Sequence, residues 1–361
     1  MSDSHRPVAG ERVDRGVVLA LLAAVLFGAS APFAKLLLRG ASPQLLAGLL
    51  YVGSGIGLAA VWLRRRFKSG AGREAPLTRH DAPWLVGAIA FGGALGPVLL
   101  MVGLTRTPAS SASLLLNLEG VFTALLAWFV FRENDNRRVA LGMVAIVAGG
   151  VALSREGALT WGRLAGPLAI AGACFCWAID NNLTQRVSAG DPVQIAALKG
   201  LVAGGVNTVI ALGLGAALPA TSRIGAALLL GFLSYGVSLA LFVLALRHLG
   251  TARTGAYFST APFVGAAVSL VVFRERPTAP FLTGAALMAL GVWLHLTERH
   301  VHEHVHEAME HEHLHVHDEH HRHAHSPDDP PGEPHSHRHR HEPMVHTHPH
   351  YPDIHHRHGH G

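Results

Sequence analysis

Cysteine is nearly absent, with only Cys174 and Cys176 in 361 residues, both inside one apolar stretch. At a spacing of two they fall on different sides of a helix, so they read as small buried hydrophobes rather than a redox or metal pair. Histidine is as scarce over residues 1–299, where only His5, His80, His248 and His295 occur. The same region has no glycine-rich phosphate loop, no Ser–His–Asp pattern and no metal motif within an apolar run. These gaps argue against an ATP-driven pump and against an enzyme. No nucleic-acid partner and no required cofactor are expected. Nor does a small-residue cleavage site follow a short apolar core near the amino terminus, so the first apolar run reads as an anchor.

What fills residues 1–299 is Leu, Ala, Val and Gly, with charge confined to short clusters. Roughly 20 apolar residues cross a bilayer as one helix. Such runs lie near 16–38, 44–63, 84–104, 109–131, 139–154, 164–183, 193–215, 225–246, 254–273 and 280–297. In lipid an unpaired backbone amide is too costly, so all ten must be helical. The fold class expected is an all-α membrane protein with ten transmembrane helices, its glycines serving close helix contact. With the amino terminus in the cytoplasm, the inside loops and termini before the tail hold 15 Lys and Arg and the outside loops seven. That bias orients both termini inward, in a multi-pass protein of the cell (inner) membrane.

The chain also repeats itself. "GLTRTPASSASLLLNLEGVFTALLAWFVFREN" (103–134) and "ALRHLGTARTGAYFSTAPFVGAAVSLVVFRER" (245–276) match without gaps at Leu104/Leu246, Phe131/Phe273, Arg132/Arg274 and Glu133/Glu275. Gly142 and Gly149 fall on Gly284 and Gly291 at the same offset. Upstream, "LFGASAPFAKLLL" parallels "CWAIDNNLTQRVS", and Pro43 and Pro192 each open the following span. Five spans per copy is odd, so the second copy enters the membrane inverted, an arrangement of secondary transporters with their site near the junction of the halves. The segments are 1–15 (amino-terminal), 16–155 (first repeat), 163–298 (second repeat) and 299–361 (tail).

This doubled pattern resembles the EamA-type family of the drug/metabolite transporter superfamily, over about residues 16–298. The resemblance implies ten helices and the movement of small organic solutes, often outward. The chain departs from the family pattern at Gly120, where a Pro usually follows the residue equivalent to Glu119. It also lacks the Arg often found in the second span.

Ionisable and amide groups inside spans mark candidate sites. Glu119, with Asn117 nearby, is a substrate or proton ligand or else a structural hydrogen-bonding group near a helix bend; its counterpart in the second copy is Ala261. Lys35 snorkels toward the interface beside Arg39. Asp180, Asn181 and Asn182 lie in the sixth span, Lys199 and Asn207 in the seventh. Counted from the turn at Pro192, the depths of Asp180 and Lys199 differ by about 7 Å, so direct pairing requires tilt or offset. The pair is either a structural clamp or a charged lining for a zwitterion, with the three asparagines orienting the solute.

The last segment is a different polymer. From His300 onward lie 23 of the 27 histidines, and with neutral His its net charge is −7 against +12 for the remainder. Candidate ligands are His302, His304, His306, His311, His313, His315, His317, His321, His323, His325, His337, His339 and His341, interleaved with Glu and Asp. Imidazole binds Zn, Ni, Co and Cu ions. Many prolines and few large apolar residues leave nothing to pack, so a disordered, metal-binding tail is expected. Two function classes stay open. One is a gradient-driven carrier of organic metabolites with a metal-binding appendage, and the other a transition-metal efflux protein or membrane-anchored metal buffer. A low-complexity expansion without a role is the plainest account of the tail.

Overall fold

The computed structural model of the protein describes residues 9–68, 79–131, 137–154, 161–187, 191–249 and 251–297, with four short tail stretches at 301–306, 309–315, 335–341 and 344–349. Among the described residues, ten helical spans are long and apolar enough to cross a bilayer: Arg15–Leu37, Pro43–Phe67, Ala82–Arg106, Ala109–Leu126, Arg137–Ser154, Leu164–Thr184, Pro192–Gly213, Thr221–Leu246, Arg253–Phe273 and Ala279–Leu296. They coincide with the ten apolar runs of the sequence to within a few residues. Large apolar side chains such as Val209, Val271 and Leu282 lie exposed on the outside of the bundle, which is the face a lipid solvent requires.

The inverted repeat is visible in how helices meet. Gly142 of the fifth span faces Gly291 of the tenth, and Gly149 faces Gly284. As one helix advances the other retreats, so the two repeat-equivalent spans run antiparallel. A Cβ added at Gly149 would stand 2.8 Å from the Gly284 carbonyl oxygen, so the backbones meet only because both residues lack side chains. His295, at the end of the tenth span, donates from Nε2 to the Val139 carbonyl at 3.0 Å and ties the same pair of helices together. The second and seventh spans cross in the same manner, Gly55 against Gly200 and Gly48 against Gly204.

Local irregularities repeat as well. The third span contains a π-helical segment, Ile89–Leu95, and the eighth carries one at Phe232–Val237. The fourth span breaks into Ala109–Leu115 and Leu118–Phe131, while the ninth breaks into Thr251–Phe258 and Ala261–Phe273. Broken helices in lipid are tolerated where the freed backbone groups face protein or a cavity. Here both breaks fall near the centre of the bundle.

Arginines stack on indoles at one face of the bundle: Arg66 on Trp62, Arg186 on Trp84 and Arg138 on Trp293, with ring-centroid distances of 5.3, 5.6 and 5.5 Å. All three lie at the ends of spans on the side that carries the amino terminus and the tail. Aromatic and basic residues of this kind mark a membrane–water boundary.

Four short stretches of the tail are extended. Strands β1 (Val301–His306) and β4 (Met344–Pro349) pair antiparallel, as do β2 (Met309–His315) and β3 (His335–His341). The physical reason is the strict alternation of His with other residues, a period of two that suits extended backbone. Two-stranded ribbons of this sort bring no packed core of their own.

Candidate functional site

The two helix breaks and the eighth-span π-helical segment border a cavity of about 440 Å³ between the two repeats. It is lined by residues of the first, second, fourth, sixth, seventh, eighth and ninth spans. Its walls reach Thr184 and Pro192 at the ends of the sixth and seventh spans, and include Phe242 and Phe258, each about two helical turns from the turn between the eighth and ninth. The cavity therefore extends toward the face that carries the amino terminus and the tail.

The opposite face is tied shut between repeats. Glu275 accepts from the backbone amides of Ala109 at 3.0 Å and Ser110 at 3.2 Å, and from the Ser110 hydroxyl. It thereby caps the exposed amides that open the fourth span. Arg274 makes this reach possible by turning the chain in the left-handed region at φ 52°, a conformation unusual for a residue with a side chain. Lys35 donates to the Thr107 carbonyl beside it. The expected snorkelling of Lys35 is thus replaced by a specific bond to the loop between the third and fourth spans. Glu133, the counterpart of Glu275 in the first copy, lies outside the described residues.

Four of the seven candidate path residues meet at the cavity: Glu119, Asp180, Asn181 and Lys199. Lys199 Nζ lies 2.5 Å from Asp180 Oδ1, with the two side chains only 16% and 11% exposed. Thr184 joins them, donating to Asp180 at 2.8 Å and accepting from Lys199 at 3.2 Å. The 7 Å depth offset expected from the turn does not arise, because the sixth-span helix already ends at Gln185. Asp180 lies five residues before that end and Lys199 seven after Pro192, which leaves about 3 Å by helical rise. The π-helical segment supports the site from behind. A Cβ at Gly92 would overlap the Asp180 carboxylate, so glycine there lets the third span close against it.

Glu119 sits in the first turn of the helix that resumes after the break in the fourth span. Asn181 donates to its Oε1 at 2.9 Å. Among the described residues, no Lys or Arg pairs with it.

The other three candidates lie elsewhere. Asn117 is buried in the break itself, donating to the Leu114 carbonyl at 2.8 Å. Asn182 donates back to the Ala178 carbonyl at 2.8 Å. Asn207, 1% exposed, donates to the Ala94 carbonyl at 3.1 Å and accepts from Gln44 at 2.9 Å. A π-helical turn leaves carbonyls without their usual helical partners, and Asn207 satisfies one of them. It faces a second, separate cavity that Gln44 also lines.

Sequence reasoning missed the rings. Phe27, Tyr51, Trp177, Tyr235, Phe242 and Phe258 line the cavity. Tyr51 and Trp177 both donate to the Gly92 carbonyl, at 2.9 and 3.0 Å, which fixes them against the π-helical segment. One signal was available in the sequence: Phe27 and Trp177 occupy equivalent places in the two copies. Cys174 is buried with its Sγ 3.7 Å from the Leu115 carbonyl, and Cys176 is buried too; both are free thiols. Among the described residues, no three His, Cys, Asp or Glu side chains gather as they would around a metal ion.

Known proteins resemble the helical part from end to end. An uncharacterised transporter from Methanothermobacter thermautotrophicus is 30% identical over 274 residues, 72% of this chain and 80% of that one. The uncharacterised transporter YyaM of Bacillus subtilis is 25% identical over 205 residues, covering 54% of this chain and 66% of its own length. A solved crystal structure aligns with 78% of this chain and 95% of its own at a TM-score of 0.57 and 19% identity, a likeness of fold. Residues 14–155 and 164–297 each match the EamA-like transporter family. Because both halves of the helical part are matched, in the order the repeat requires, the chain belongs to the EamA-like transporter family.

Proposed function

We propose that the protein is a gradient-driven exporter of small organic solutes in the cell (inner) membrane, with both termini in the cytoplasm. The observation that carries this reading is the cavity between inverted repeats, extending toward one face while Glu275 and Lys35 hold the other shut. An inverted repeat provides two mirrored ways of closing, and alternation between them moves a solute past a fixed central site. The excess of basic residues on the face toward which the cavity extends supports cytoplasmic loading, and so export. Asp180, Lys199, Glu119 and Asn181 form the polar part of the path. Asn117, Asn182 and Asn207 brace it through backbone carbonyls. Comparing metabolites inside and outside cells that lack or overproduce the protein tests this reading. A solute should accumulate inside the deletion strain and outside the overproducer. Identical metabolite profiles would refute export.

The tail, on the same reading, is a transition-metal-binding appendage. Register supports it: His302 stands opposite His348, His304 opposite His346, His311 opposite His339, His313 opposite His337 and His315 opposite His335. Imidazole nitrogens are ligands for Zn, Ni, Co and Cu ions. His306 stands opposite Met344 and His341 opposite Met309. His317, His321, His323 and His325 lie outside the described residues. A metal-efflux function would place ligands of this kind along the path itself, and the cavity is lined instead by rings, one ion pair and a single further carboxylate.

A further inference from the structure

We propose that the central cavity takes an organic ammonium ion: a protonated amine on an apolar body, its charge held by Glu119 and its body by the aromatic wall. This rests on the cavity being the solute path. The charges leave room for little else. Asp180 and Lys199 neutralise each other at 2.5 Å, and Thr184 occupies both. Lys199 is therefore spoken for, and an incoming carboxylate would have to take it from Asp180. Among the described residues, the Glu119 carboxylate accepts only from the neutral amide of Asn181, which also donates to the Thr123 hydroxyl at 3.4 Å. A carboxylate in a largely apolar cavity calls for a cation or a proton to balance it.

The wall agrees with the charge. Rings run in an unbroken chain from Tyr51 to Tyr235 (5.7 Å between centroids), Phe27 (5.9 Å), Phe258 (5.3 Å) and Phe242 (4.9 Å). Aromatic faces carry negative potential and attract ammonium groups, which is how aromatic cages hold them. The same faces repel an anion, as does Glu119. A cavity of about 440 Å³ falls in the range that encloses small organic molecules. The aromatic wall makes an apolar body favourable, and the single unbalanced carboxylate sets the charge at one.

Three probes sharing one aromatic body separate the possibilities: phenethylammonium, phenylalanine and phenylacetate. Each is titrated calorimetrically into the purified full chain at neutral pH. Phenethylammonium should bind, phenylalanine at least tenfold more weakly, and phenylacetate not measurably. Glu119→Gln should weaken phenethylammonium at least tenfold, with Glu119→Asp recovering part of the loss. The rank order is read on the unmodified protein, so it does not depend on a variant folding. The proposal is overturned if phenylalanine or phenylacetate binds as tightly as the amine, if none of the three binds, or if Glu119→Gln binds the amine unchanged. Uptake of the same probes into proteoliposomes separates this from the underlying reading. Glu119-dependent binding without transport would leave the ammonium site standing and remove the carrier. Transport of phenylalanine that ignores Glu119 would keep the carrier and remove the ammonium site.

Discussion

Removing one member of the Asp180–Lys199 pair should harm the protein far more than removing both. The two side chains are mostly buried and stand 2.5 Å apart. Asp180→Asn leaves an ammonium, and Lys199→Met a carboxylate, among rings and apolar side chains. Stranding one ion of a buried pair costs about 3–5 kcal/mol. The residual exposure of both groups, 16% and 11%, admits some water and favours the lower end, about 3 kcal/mol. Replacing both removes the stranded charge and leaves only the Thr184 hydroxyl to re-pair, a loss of about 1 kcal/mol. Thermal unfolding of the full chain in detergent, followed by thiol labelling of the buried Cys174 and Cys176, reads this directly. The single variants should unfold roughly 6–12 °C earlier, at about 2–4 °C per kcal/mol, and the double variant should return most of the way. If the double variant is as unstable as either single one, charge pairing is not what the two residues supply. If neither single variant shifts, the pair contributes nothing to the fold and its role is confined to the path.

Gly149→Leu should disrupt the contact between the fifth and tenth spans, where Gly284 and Met288 leave no room, at about 1–3 kcal/mol or more, seen as lost monodisperse protein after solubilisation. Gly150→Ala, whose Cβ would find its nearest neighbour at 3.5 Å, should behave as the unmodified chain. Glu275→Gln loses charge-assisted bonds to Ala109 and Ser110 worth about 1.5–3 kcal/mol each. A cysteine placed at Ala112 in a background without Cys174 and Cys176 should then label at least about tenfold faster, and unchanged labelling would mean that the face is held elsewhere. A chain ending at Glu298 should keep solute transport and lose metal binding. In the full chain, metal affinity should fall as pH drops through about 6.5, because protons then occupy the imidazole nitrogens. Reporter fusions should place both termini in the cytoplasm, and an outward carboxyl terminus would contradict the proposed orientation.

Span positions, their number and the repeat were legible because lipid imposes crude and strict demands: about 20 apolar residues per crossing and every amide paired. The glycine pairs were legible for a related reason. Gly142 and Gly149 reappear as Gly284 and Gly291 because the same two helices face one another across the symmetry relation. The site was only half legible. A search for ionisable groups finds Glu119, Asp180 and Lys199, but it cannot distinguish Asn181, which faces the cavity, from Asn182, which bonds back to its own helix. Helical phase could have separated them only with the π-helical segments and breaks already known. Those irregularities come from tertiary partners: Asn207, Tyr51 and Trp177 reach the carbonyls of Gly92 and Ala94 from other spans. The relative depth of Asp180 and Lys199 was misjudged because one helix stops at Gln185, several residues before the proline that opens the next.

The repeat and the site obey different rules, and the difference bears on how such a carrier acquires a substrate. Rings are shared by the two copies, since Phe27 and Trp177 occupy equivalent places and both line the cavity. Charges are not shared. Glu119 corresponds to Ala261, and Asp180 to Ser30 in the paired "LFGASAPFAKLLL" and "CWAIDNNLTQRVS" segments. Alternation between two closed faces depends on the duplicated scaffold, which the glycine contacts and helix breaks preserve in both halves. A fixed binding site depends on having one charge arrangement, because a duplicate of Glu119 at the buried Ala261 would add a second unbalanced carboxylate inside the bundle. On the proposed reading, Glu119 sits where a change alters what is bound without disturbing how the halves pack. Gly149 and Gly284 sit where a change does the reverse.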